Sequence, residues 1–317
     1  MTWPPPLIPP IPQEIEMAAS ECNLVVFIGA GVSKLAGCPS WDEFADSVLE
    51  QLATAGCLSF SDVQQLSFLD AKKRLSIADQ IADREGYQVD YTNIIEPRKN
   101  TDSKIYDYLI SIGCVYVTTN YDRCLDNSPT TIEGIQVAGH GISQSQLRRQ
   151  LICRPDQFMP SILRKPGEVI HLHGSVEERE TMIVSTTDYL THYSNEQVIS
   201  FLKELFEMNT VLFIGYGLEE TEILEYIFRK YRQDKDFSTK KRFMLQGFYS
   251  HQEKTYIHLY NYYRESFQVY LCPFSLDKLN YGQLERVIGE WSSKLIIGKP
   301  VLADDYNFVM KVADESS

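Results

Sequence analysis

The stretch that decides the fold is Leu24-Val25-Val26-Phe27-Ile28-Gly29-Ala30-Gly31-Val32-Ser33. Five apolar residues in a row, rich in β-branched side chains, predict a strand buried on both faces. Gly29 and Gly31 then supply a tight turn out of it. Three further segments repeat the arrangement. Thr118-Thr119-Asn120-Tyr121-Asp122 follows the apolar run 115–117, and His171-Leu172-His173-Gly174-Ser175 sits on the end of the run 169–172. Ile214-Gly215-Tyr216-Gly217 closes the run 211–214. In an open parallel sheet, ligands bind beyond the carboxyl ends of the strands. One polar or glycine-rich segment after each of four strands therefore predicts four walls of one crevice, a nucleotide pocket with a histidine in it.

Composition narrows the classes. A chain of 317 residues can bury a substantial core as one large α/β domain or a domain with an inserted subdomain. With 44% hydrophobic and 23% charged residues it reads as soluble and globular. The net charge of -13 argues against binding along a phosphate backbone, so no direct nucleic-acid partner is expected. Arg148-Arg149 and Lys240-Lys241-Arg242 read as solvated surface. No apolar run reaches the roughly 18 residues of a membrane span. The proline-rich stretch 4–12 lacks the basic and apolar regions of a signal peptide and reads as an extended arm. Seven scattered cysteines, an odd count without a regular framework, suit a reducing cytoplasm. Tetrahedral zinc needs four closely placed ligands, and neither Cys38 with Cys57 nor Cys114 with Cys124 has that spacing. No zinc is expected.

The expected organisation is an arm over 1–20, a nucleotide-binding domain over 21–300 and a tail over 301–317. Ser40 before Trp41-Asp42-Glu43 has the N-cap and acidic first turn of a helix start. Apolar residues at helical intervals predict a helical insertion at about 60–100. The polar, Pro- and Gly-punctuated segment of about 126–167 reads as a lid-like loop. Helices are expected over 105–112, 189–207, 219–231, around 256–263 and over 276–295, with further strands over 243–247 and 267–271. Ser185-Thr186-Thr187-Asp188-Tyr189 reads as an N-cap cluster as readily as a functional one.

The order, spacing and residue types of the four segments resemble the sirtuin superfamily, which carries a GAG-x-S loop, a T-x-N-x-D segment, an HG pair and a late glycine-rich loop. Across roughly residues 22–275, the resemblance implies a doubly wound, Rossmann-like α/β fold with a helical insertion, and NAD as a consumed substrate. Gly29, Ala30, Gly31 and Ser33 would meet the pyrophosphate, where glycine lets the backbone approach. Thr119 would join the cofactor-binding set, Asn120 would lie beside the nicotinamide ribose, and Asp122 would hold the carboxamide. Gly215, Tyr216 and Gly217 would meet the adenosine side, with Gln246 a weaker ribose-contacting position. The family places its catalytic histidine directly before glycine, which selects His173 over His171 as general base. On a strand the two histidines would share a face, with His171 as a supporting or core residue.

Departures from the deacylase pattern choose the branch. The zinc ribbon is missing, the loop continues as Ala36-Gly37-Cys38-Pro39-Ser40-Trp41 without the Phe-Arg pair, and no Phe-Gly-Glu strand for a peptide is present. The chain resembles the prokaryotic antiviral-defence branch, whose sirtuin-like domains hydrolyse NAD to nicotinamide and ADP-ribose. Its members work with fused sensors, Argonautes or HerA-type ATPases. No sensor domain is read here, so control is expected from self-assembly as a homo-oligomer, from an activating protein partner (a HerA-type ATPase or another phage sensor), or from a longer chain of which this is a fragment. A protein deacylase or ADP-ribosyltransferase, and a non-catalytic NAD or ADP-ribose sensor, remain as alternatives.

Overall fold

The chain is described by a computed structural model over residues 3–98, 101–126, 150–216 and 242–298. His140, Gly217, the basic pairs Arg148-Arg149 and Lys240-Lys241, the expected helix over 219–231 and the tail over 301–317 lie outside the described residues. The strands are β1 (Leu24–Ile28), β2 (Val115–Thr118), β3 (Val169–His171), β4 (Thr210–Ile214), β5 (Arg242–Phe248) and β6 (Val269–Ser275). They form one sheet in the order 3-2-1-4-5-6, and every pairing is parallel. This is the doubly wound α/β architecture, whose strand order reverses between β1 and β4 and opens a crevice there.

The helices are α1 (Gln13–Ser20), α2 (Ala30–Leu35), α3 (Trp41–Thr54), α4 (Phe60–Leu66), α5 (Ala71–Glu85) and α6 (Tyr91–Ile95). They continue with α7 (Ile105–Ile112), α8 (Thr186–Ser194), α9 (Glu196–Met208), α10 (Glu253–Phe267) and α11 (Gln283–Ser292). Alternation along β1 divides the interior. Leu24, Val26 and Ile28 pack with α1, α7 and α11, while Val25 and Phe27 pack with α9 and α10. A third core lies in α3 to α6, around Leu49, Leu52, Leu75 and Ala78, and reaches the sheet through Tyr121, Met182 and Val184. The helical unit therefore begins at α3. Its entry is fixed by a capping box in which Ser40 accepts from the Glu43 amide and Glu43 accepts from the Ser40 amide.

Several elements differ from the sequence expectation, each for a local reason. The single helix expected over 189–207 is two, because Asn195 adopts an extended conformation and its side chain accepts from the Gln197 and Val198 amides. The described part of the expected lid, residues 150–167, is packed structure. Ile152 bridges to Ile170, and Phe158 and Leu163 are buried beside α9. The last helix starts at Gln283, after a turn at Asn280–Gly282. The proline-rich arm is extended as expected and fastened: the Trp291 indole donates to Pro9 O at 2.9 Å and Gln283 to Leu7 O at 2.9 Å. Arg242, expected as solvated surface, is instead buried at the start of β5, where it donates to Phe206 O and Phe267 O, carbonyls at the ends of α9 and α10. No helix among the described residues is long and apolar enough to cross a membrane.

Leu49 is fully buried in the helical unit's core. Leu49→Ala should cost about 2–5 kcal/mol, read as a lower urea midpoint. A loss below that range would mean that the third core collapses around the cavity.

Candidate functional site

The site is assembled from the carboxyl ends of β1, β2, β3 and β4, where the sequence places its four segments. At the centre, the Gly29 amide donates to Ile214 O at 2.9 Å and the Gly31 amide to Gly215 O at 2.8 Å. The approach is so close that a Cβ on Gly31 would lie 2.7 Å from the Gly215 carbonyl oxygen. Gly215 has φ +72°, and a Cβ there would lie 2.6 Å from the Val32 amide nitrogen. Both glycines thus have a packing reason to be glycine, independent of any ligand. Tyr216 is buried against Phe27, and its hydroxyl shares a 3.1 Å hydrogen bond with Thr119.

The β2 loop joins the same junction. Thr118 donates through its hydroxyl to Ile28 O and accepts from the Asn120 amide, both at 3.0 Å. Asn120 Nδ2 donates to Gly29 O at 3.0 Å. Asp122 is buried, and its carboxylate accepts from Ser33 Oγ at 2.5 Å, from the Tyr106 hydroxyl at 3.3 Å and from the Cys124 amide at 3.0 Å. The three donors satisfy a polar group that would be costly to bury without partners. Ala30, Ser33, Thr119, Asn120 and Asp122 line one cleft with Cys38, Pro39, Trp41 and Phe44, so the helical unit supplies its far wall. The structure brings together the expected residues from β1 and β2, with Thr119 linked onward to the β4 loop.

The two histidines occupy different environments. β3 ends at His171, and a turn closed by the Gly174 amide on His171 O separates their side chains. The expectation of a shared face fails because His173 lies beyond the strand. His171 is wholly buried with both ring nitrogens engaged, Nδ1 by Asn120 O at 3.2 Å and Nε2 by Asp126 Oδ2 at 3.0 Å. Burial pulls its pKa down, but the Asp126 hydrogen bond and charge, with the Asn120 carbonyl, leave it raised. It holds the β2 loop in place. His173 is also wholly buried, with Nε2 on the Tyr193 hydroxyl at 2.7 Å and Nδ1 without a partner among the described residues. Burial, reinforced by the charges of His192 and Lys72, holds its pKa well below the histidine range, so it is neutral. His192, whose ring centroid lies 6.1 Å away, is pushed down to about 4 by burial.

Sequence reasoning missed Tyr106, Tyr193 and the meeting of Cys38 with Cys124. Tyr106 sits among the apolar positions of α7 and reads as core; only its contact with Ser33 and Asp122 shows a polar task. Ser185 is an N-cap, in a capping box with Asp188. Among the described residues, Cys38, Asp122 and Cys124 are the one grouping of three whose ligand atoms lie within 4.8 Å of one another. The Asp122 oxygens there are already committed to hydroxyl and amide donors.

A family model described as SIR2-like domain matches residues 114–264. The chain is 24% identical over 224 residues to Defense-associated sirtuin 2 of Bacillus subtilis, covering 67% of this chain and 19% of that protein. It is 26% identical over 226 residues to NAD(+) hydrolase ThsA of Cytobacillus dafuensis, covering 69% of this chain and 40% of that protein. The matches span less than half the length of either relative. Residues 114–264 are thus similar to a SIR2-like domain, and they carry strands β2 to β5 of the parallel sheet.

The histidine pair gives opposite pH dependences. His171, raised above its unfolded value, contributes stability that is present below about pH 6.5 and is lost as pH rises through its folded pKa. His173 excludes the proton that an unfolded histidine takes up, so stability falls as pH drops below about 6.5. In urea unfolding, His171→Ala should therefore cost more at pH 5.5 than at pH 8. His173→Ala should cost less at pH 5.5 than at pH 8. Matching pH trends for the two variants would contradict the assignment.

Proposed function

We propose that this chain is a sirtuin-like NAD glycohydrolase, which breaks the bond between nicotinamide and C1′ of the ribose and delivers water to that carbon. The products are nicotinamide, ADP-ribose and a proton. The observation that carries the reading is a cleft beyond the carboxyl ends of β1 and β2, lined by Ser33, Thr119, Asn120 and Asp122 and walled by the helical unit. Beside β2, the adjacent strand β3 leads into His173, a neutral histidine with an uncommitted nitrogen. Two relatives named as a defence sirtuin and an NAD(+) hydrolase support it.

Asp122 would hold the nicotinamide carboxamide while the glycosidic bond stretches, its side chain fixed by Ser33, Tyr106 and the Cys124 amide. Asn120 has one amide nitrogen committed to Gly29 O, which fixes the orientation of the rest of its side chain toward the ribose or the water. A neutral imidazole at His173 can accept the proton given up by a ribose hydroxyl or by the water. In the described conformation that histidine is sealed and a weak base. Turnover therefore requires a rearrangement that admits the substrate, which fits an effector of anti-phage defence that depletes NAD only when triggered. Self-association or an activating protein partner, such as an ATPase or a phage sensor, would supply the trigger, and a cytoplasmic location follows from the substrate.

The test is nicotinamide release from NAD without any acylated peptide, run over a series of protein concentrations that spans self-association. His173→Ala should lower turnover by about 10² to 10⁴. Asn120→Ala should abolish turnover while calorimetry still detects NAD binding. Nicotinamide that appears only when an acyl-lysine peptide is added would falsify the glycohydrolase reading.

A further inference from the structure

We propose that Cys38 and Cys124 are a thiol pair for reversible oxidation, built into the wall of the cleft. The bond itself stands apart from the proposed function; only its effect on turnover rests on that reading. Cys38 lies in the turn between α2 and α3 and lines the cleft beside Pro39 and Trp41. Cys124 lies in the turn after Asp122, partly buried. The two sulfurs lie within 4.8 Å of one another, together with an Asp122 oxygen. A disulfide needs an S–S distance of about 2.05 Å, and cysteines in turns can close such a gap with less backbone cost than cysteines held in a helix or strand ladder.

The environments of the two sulfurs differ. The neighbouring Cys38 thiol, burial and the nearby Asp122 side chain raise the Cys124 thiol above its ordinary range. Cys38 is 6% exposed, and the exposed part borders the cleft, so an oxidant of the peroxide class that enters the cleft meets this sulfur. Its thiolate attacks hydrogen peroxide, the O–O bond breaks, and a sulfenic acid and hydroxide form. The Cys124 sulfur then attacks the sulfenic sulfur, the S–O bond breaks, and water leaves with the Cys124 proton. In total, two thiols and one peroxide give one disulfide and two waters, and a dithiol reductant reverses the reaction.

The bond would have a consequence in the cleft. It would tie the turn carrying Pro39, Ser40 and Trp41 to the turn whose Cys124 amide holds Asp122. Drawing the sulfurs together shifts one or both turns, so the cleft narrows and the carboxylate loses its placement.

The experiment treats the full chain with hydrogen peroxide, alkylates remaining thiols and maps linked peptides by mass. The expected result is a Cys38–Cys124 crosslinked peptide that disappears with dithiothreitol and does not form in Cys38→Ser or Cys124→Ser. Nicotinamide release should fall about tenfold or more on oxidation, because small displacements of positioning groups are costly, and recover on reduction. In Cys124→Ser, the ratio of oxidised to reduced turnover should return toward one. Peroxide that leaves both cysteines alkylatable, or takes Cys38 to the sulfinic acid with no crosslink, overturns the pair. A crosslink with unchanged turnover overturns its control of the cleft. A protein that releases no nicotinamide under any condition counts against the proposed function, and the crosslink map still decides the pair.

Discussion

The structure depends on one backbone contact, the approach of Gly31 to Gly215 across the point where strand order reverses. The Gly31 amide lies 2.8 Å from Gly215 O, closer than any side chain on either residue would allow. Around that contact the other loops are tied by hydrogen bonds that use one residue each. Asn120 reaches Gly29 O, Thr118 reaches Ile28 O, Thr119 meets Tyr216, and His171 holds Asn120 O. The crevice is therefore a single hydrogen-bonded junction of four strand ends, and a shift in one loop is transmitted to the others. Such a junction can hold polar groups at fixed positions without large side chains, beside the cleft that the β1 and β2 loops form with the helical unit.

Much of this was legible in the sequence because it is local. Five-residue apolar runs predict buried strands, and the polar segments that follow them mark their carboxyl ends whatever the rest of the chain does. A crevice at the carboxyl ends follows from those signals with the rule for open α/β sheets, whereas the strand order is seen only in the folded chain. What was not legible depends on residues brought together from afar. Tyr106 looks like one more apolar position of α7, and its hydroxyl gains a role only when β1 and β2 carry Ser33 and Asp122 to it. Cys38 and Cys124 have no motif spacing, so only the folded chain shows them adjacent. The break at Asn195 was missed because apolar periodicity continues through it; a side-chain cap won over the pattern.

The histidines show how little sequence separation says about chemistry at a strand end. His171 and His173 are two positions apart and both wholly buried, yet one is raised by a carboxylate and the other depressed by isolation. The difference is set by where β3 stops. The residue still within the strand meets β2 and Asp126, and the residue past it meets α8 through Tyr193 and His192. Position along the strand therefore assigns one histidine to architecture and frees the other's nitrogen.

Seclusion of His173 has a double effect under the proposed reaction. The burial that keeps the imidazole neutral also weakens it as a base, because charging it in that setting is unfavourable. Any movement of α8 that admits substrate also admits polar groups and raises the basicity of the same nitrogen. Access and base strength would then change together, since both are set by one layer of packing around Tyr189, His192 and Tyr193. An enzyme that destroys a metabolite its host needs has reason to couple them. A leak through a partly open site would meet a base still too weak to turn it into steady turnover, so the resting state is protected twice by the same contacts.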